Sequence, residues 1–157
     1  MANETKITVE PNVQEIVIER EFDAPRDLVF KVTTDPEYIP QWWGPKDPQV
    51  EIDHADVTSG GKWRFIHGGI GFHGVYHEVL APERVIQTFE WEGLPEKGHV
   101  ILETARYEAL ADDRTKLTIQ QVFQTVADRD GMIQSGQEGG MKESHARLDE
   151  LLGKLRK

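Results

Sequence analysis

The side chains with most chemical potential in this chain are its four tryptophans, six phenylalanines, three tyrosines and six histidines. Trp42, Trp43, Trp63, Phe65, Tyr76, Phe89 and Trp91 fall at strand or corner positions from which they could face one cavity. Aromatic walls with a few polar groups are the usual composition of a small-molecule site. The same side chains would serve equally as core, since each aromatic buries about 150–250 Å² wherever it packs. Trp42 and Trp43 are adjacent and cannot both pack the same way, so one of them is expected at a pocket mouth. His73 and His77 stand four apart on one strand and should share a face, with His67 across the Gly68-Gly69 turn. Three imidazoles could bind zinc or copper, but no HExxH or other recognised ligand spacing accompanies them, and solvent-facing histidines are the alternative. No metal and no cofactor is assigned. His145 interrupts an apolar helix stripe, either as a buried, satisfied imidazole or as a polar group of the pocket. Gln121, Phe123 and Met141 complete the candidate lining.

Carboxylates are plentiful. Glu103 shares parity with Ile101 and Tyr107, so it either faces inward or lies on the solvent side. Facing inward, it would have a raised pKa and could act as a general acid or base with His145 or Tyr76. No nucleophile elbow, phosphate loop or dinucleotide fingerprint is present, and no catalytic residue is assigned.

The elements that must position these groups follow from periodicity. Residues 1–12 read as a flexible arm and 13–157 as one domain. From Val13 to Phe22, Ile16, Ile18 and Phe22 alternate with charged residues, the period of a half-buried strand. Asp23-Ala24-Pro25 and Asp35-Pro36 then announce two short helices, the second cut off by Pro40 and Gly44-Pro45. Strands are expected over Val50–Val57, Gly60–His67, Gly71–Leu80, Val85–Trp91, His99–Leu110 and Thr115–Gln124. Gly68-Gly69 supplies a tight hairpin turn. After Thr125, the spacing of Met141, His145, Leu148, Leu152 and Leu155 marks one face of a long helix. Gly136, Gly139 and Gly140 in its first half imply a close approach, room for a ligand, or a frayed or kinked start. The expectation is an α+β fold: a curved antiparallel sheet of six to seven strands around a C-terminal helix.

Composition narrows the function. Eighteen basic against 28 acidic residues leave a formal net charge of -10, which repels phosphate backbones and anionic lipid heads. Nucleic-acid partners and membrane insertion are therefore not expected. The absence of cysteine excludes disulfides and thiolate chemistry and fits a reducing cytoplasm. Met1 to Pro11 is polar and lacks the apolar core of a signal peptide. A soluble, cytoplasmic protein is expected.

Several short motifs carry a family resemblance. Asp23-Ala24-Pro25-Arg26-Asp27-Leu28-Val29-Phe30, Trp42-Trp43-Gly44-Pro45, Gly60-Gly61-Lys62-Trp63-Arg64-Phe65 and Phe72-His73-Gly74-Val75-Tyr76-His77-Glu78-Val79 with Pro82-Glu83-Arg84 occur in this order. Together, over about residues 14–155, they resemble the activator of Hsp-90 ATPase homologue-like family, of the START and birch-pollen-allergen-like superfamily. That resemblance implies the helix-grip fold and a cavity between sheet and C-terminal helix. It implies binding of a small hydrophobic molecule such as a lipid, an aromatic or a polyketide. A cyclase, dehydratase or hydrolase using the same cavity is a second implied function. Regulation of an Hsp-90-type chaperone, with a role in stress response, is a third. The resemblance is to the namesake's C-terminal part, which makes chaperone regulation the weaker expectation.

Overall fold

The computed structural model describes residues 3–156 and consists of one eight-stranded antiparallel sheet and three α-helices. In chain order these are β1 (Lys6–Thr8), β2 (Glu15–Phe22), α1 (Arg26–Thr34), β3 (Glu51–Ala55), β4 (Lys62–His67), β5 (Ile70–Leu80), β6 (Arg84–Trp91), β7 (Ile101–Leu110), β8 (Arg114–Val122), α2 (Val126–Gln134) and α3 (Gln137–Leu155). The sheet order β1-β2-β8-β7-β6-β5-β4-β3 puts first and last strands of the main run side by side and leaves β1 and β3 as edges.

All seven expected strands are present, and an eighth comes from the segment read as an arm. Lys6–Thr8 pairs with Val17–Glu19 of β2. Three residues are too few for a visible period, which is why the pattern missed it. The second expected helix is a single 3-10 turn at Ile39–Gln41, because Pro40 occupies it and Gly44-Pro45 follows closely. The C-terminal helix begins later than expected. Thr125 caps α2, its Oγ1 accepting from Asp128 N at 3.0 Å, but α2 stops at Gln134. Gly136 then takes φ 89°, a left-handed conformation that turns the chain into α3. Of the alternatives for these glycines, a kinked start is the observed one.

Parity decides which side chains meet the helices. On β2, Ile16, Ile18, Arg20 and Phe22 are buried and the residues between them half-buried. Their register partners on β8 are Gln121, Ile119, Leu117 and Thr115. The main core joins Phe22 and Leu117 to Val29 and Val32 of α1 and to Leu148, Leu151 and Leu152 of α3. A second apolar cluster, Ile16, Ile18, Ile101 and Phe123, packs with Met132 and Met141 at the α2–α3 corner. Phe89 and Ile119 touch both clusters. One β-bulge matters later: β5 shifts register between Tyr76 and Glu78, so His77 is an extra residue and alternation inverts beyond it.

Candidate functional site

One row of side chains crosses the concave face of the sheet where the two apolar clusters meet. Gln121 of β8 stands opposite Glu103 of β7, Glu103 opposite Gln87 of β6, and Gln87 opposite Tyr76 of β5. On the far side Gln121 faces Ile16 of β2. Directly opposite residues of antiparallel strands bring their Cβ atoms about 4.5–5.5 Å apart, so four consecutive polar side chains form a continuous ridge. Gln121 Nε2 donates to Glu103 Oε2 at 2.6 Å, and Gln87 Nε2 reaches toward Glu103 Oε1 at 3.4 Å, the long limit of a hydrogen bond. Gln137, in the first turn of α3, donates from Nε2 to Gln121 Oε1 at 2.8 Å. The helix therefore closes over one end of the ridge through an amide–amide contact.

Glu103 is half-buried on the concave face. Burial raises its pKa, opposed only by the Gln121 amide; no charged group takes part. Tyr76, also on the ridge, is pushed to about 12 by burial and stays a neutral phenol. Tyr107, two positions further along β7 on the same face, is likewise raised to about 12 but bonds Thr33 Oγ1 of α1 at 2.6 Å.

Aromatic side chains wall the β4–β6 side. Trp63 is 1% exposed, with ring centroids 4.7 Å from Phe65 and 5.7 Å from Phe89. Its indole Nε1 is buried and has no hydrogen-bond partner among the described residues. Gly74 makes room for this ring: a Cβ there would lie 2.7 Å from Nε1 and 1.9 Å from Thr88 O. Trp43 presents its edge to Phe65, His67 and Phe72 at 5.3–6.0 Å. Phe123 and Met141 close the opposite side within the second cluster.

Other candidates go elsewhere. Trp42 bonds Val32 O through Nε1 at 2.9 Å and is tied to α1. Trp91 is 38% exposed at the end of β6, its ring lying over Gly93. His73 points to the convex face, where it and Arg64 hold Glu92. The Arg64 guanidinium and the His73 ring keep the Glu92 carboxyl down at about 2. His67 stays on the concave side with Trp43, so the two imidazoles lie on opposite faces, and the bulge leaves His77 exposed. His145 is buried but stands eight residues, about 12 Å, along α3 from Gln137. It meets Phe22 edge-on at 5.5 Å and bonds Thr5 Oγ1 through Nδ1 at 2.7 Å. Burial, with help from the Arg20 charge, lowers its pKa to about 4. His145 is thus a satisfied imidazole joining α3 to the segment before β1, remote from the ridge.

Sequence reasoning missed Gln87 and Gln137. For Gln87 the signal was present, an amide between Val85 and Phe89 on the buried parity of β6. A glutamine in the first turn of a helix carries no comparable signal. A surface cleft lined by Asp27, Phe30, Lys31, Thr34 and Pro82 lies apart from the ridge and contains none of the unpartnered buried polar atoms. Among the described residues, no helix is long and apolar enough to cross a membrane.

The comparisons with known proteins agree with this geometry. A protein from Arthrobacter aurescens, solved by NMR, is 22% identical with a TM-score of 0.84, covering 95% of this chain and 91% of its own. DynU16, a protein of the dynemicin biosynthetic locus, is 22% identical with a TM-score of 0.70, over 89% of this chain and 47% of its own. An HSP90 activator from Plasmodium falciparum is 17% identical with a TM-score of 0.69, over 89% of this chain and 96% of its own. At such identities the likeness is one of fold: the helix-grip sheet with its long C-terminal helix. No curated protein sequence matches the chain. Residues 23–153 match the family described as Activator of Hsp90 ATPase homolog 1-like protein, a span that includes Trp43, Trp63, Gly74, the ridge and α3, and the chain belongs to that family.

Proposed function

We propose that the protein binds a small, mostly apolar molecule between the concave face of the sheet and α3. The observation that carries this reading is the hydrogen-bonded row around Glu103, polar groups set on an otherwise apolar concave face beneath α3. Phe89, Ile101, Phe123 and Met141 flank that row, and a few amides converge on it. That is the composition of a ligand site: apolar walls supply affinity and a small set of polar groups supplies orientation. The unpartnered Trp63 Nε1 adds a buried donor on the same face. DynU16, a protein of the dynemicin biosynthetic locus, has the same fold.

The test is titration with a neutral apolar fluorophore, following tryptophan quenching. One saturable site is expected, and Ala105→Leu should remove it while leaving a cooperative melt, because Ala105 neighbours Glu103 on the concave face and is only half-buried. Quenching that never saturates, or that Ala105→Leu leaves unchanged, would sink the reading. A second reading, contact with an Hsp90-type chaperone, is favoured by the family and by the Plasmodium structure. A net charge of -10 makes such a contact salt-dependent, and a chaperone ATPase rate that does not respond to added protein would end it.

A further inference from the structure

We infer that the ridge is built for a molecule with a basic amine at one end, its ammonium group taking Glu103 as counter-ion. This rests on the binding reading above and adds the head group. The hydrogen bonds of the ridge run in one direction. Gln137 donates to Gln121, Gln121 donates to Glu103, and Gln87 extends its amide toward the other carboxyl oxygen. Gln121 and Gln87 present their N–H groups to the carboxyl, so Glu103 is supplied with donors. A carboxyl so supplied is prepared to carry charge.

What the protein does not supply is a cation. No Lys, Arg or His pairs with Glu103 among the described residues. The two buried arginines are engaged elsewhere: Arg20 with Asp149 and the Glu21 carbonyl, Arg129 with Asp130 and the carbonyls of Glu10 and Val13. A desolvated carboxylate without a counter-ion is unfavourable, and burial raises the pKa of Glu103. A ligand ammonium completes the pair that the fold leaves open, and its N–H groups meet the carboxyl oxygens. A ligand carboxylate would be desolvated there and would likewise find no cation. An alcohol would leave the site as it is. The apolar body of the molecule then lies against Phe89, Ile101 and Met141, beside the ridge.

The experiment compares decylamine, decanol and decanoate, equal in chain length and kept below their micelle concentrations, by calorimetry at pH 7. Decylamine should bind at least tenfold more tightly than decanol, and decanoate should not bind measurably. Because a chain of net charge -10 attracts any cation, the variant arm locates the effect. Glu103→Gln should bring decylamine to within about twofold of decanol and leave decanol unchanged. Glu103→Asp, which keeps the charge, should retain part of the preference, and circular dichroism confirms that each variant is folded. Equal affinity for amine and alcohol, or an amine preference that survives Glu103→Gln, overturns the head-group inference while the binding reading stands. Binding of none of the three by the folded protein overturns both.

Discussion

Burial shifts the pKa values of Glu103 and His145, and it does so in opposite directions. Glu103 is raised by burial. A carboxyl with a folded pKa above its unfolded value favours the folded state at low pH, and that contribution is lost as pH rises through the folded pKa. Removing the ionisable group should therefore stabilise the protein at neutral pH. Glu103→Gln is expected to raise the melting temperature at pH 7.5 and to have a smaller effect at pH 4.5. A fall in melting temperature at both values would show Glu103 to be structurally satisfied as it stands. His145 is lowered to about 4 by burial and the Arg20 charge. Its contribution is complete above the unfolded value of about 6.5 and is lost as pH falls toward 4, because the unfolded chain binds the proton first. The loss amounts to about 2 kcal/mol by pH 5 and about 3 kcal/mol below pH 4. Urea midpoints of the parent should drop over this range, and those of His145→Gln should drop measurably less. Identical pH profiles would mean that the imidazole reaches water in the folded state. At this scale the sequence exposed both residues, through parity for Glu103 and the broken stripe for His145, but left the surroundings of each open. His145 is paired with Thr5, 140 positions away, a contact that no local pattern contains.

Three glycines separate the demands of the elements. Gly74 lies mid-strand, where the Trp63 indole and Thr88 O both occupy the place of a Cβ. Gly74→Ala should cost about 1–3 kcal/mol or more, since a backbone oxygen cannot swing aside as a flexible side chain can. Chemical denaturation would measure it, and a loss below 0.5 kcal/mol, on the scale of an ordinary surface change, would contradict the close packing of β5 on β4. Gly136 and Gly140 lie four residues apart and should respond with opposite signs. Gly136 has φ 89°, where a Cβ costs about 1–2 kcal/mol, so Gly136→Ala should lower stability. Gly140 lies within α3, and a Cβ built on it meets nothing within 4 Å. Gly140→Ala should gain up to about 1 kcal/mol, or roughly 2–4 °C in melting temperature. Equal signs in a thermal melt would show that α2 and α3 are not separated as described. The strands themselves were legible because alternation is a local consequence of one buried face. The bulge at His77 was not legible, because it inserts a residue without changing composition.

At the scale of the molecule, β1 covers the outer edge of β2, and Thr5 just before it reaches His145 on α3. The segment thus ties one edge of the sheet to the helix across it. A chain lacking residues 1–8 should lose about 1 kcal/mol or more from these hydrogen bonds and expose the edge of β2. Lower melting temperature with increased light scattering on concentration is the expected pair of signs. An unchanged melt would mean that the edge is protected without β1. The sequence alone determined that about seven strands curve toward an apolar helix face, because burial periodicity, proline stops and glycine turns are all short-range. It determined the family as well, through motifs that are themselves short. Only the tertiary structure decided which polar groups share a site. Tyr76, Gln87, Glu103, Gln121 and Gln137 span 62 positions of the chain, and they meet because hairpin registers fix which residues stand opposite and because the turn at Gly136 sets the start of α3. Register is a property of paired strands and helix placement a property of the packed core, so neither is carried by the residues within reach of a local pattern.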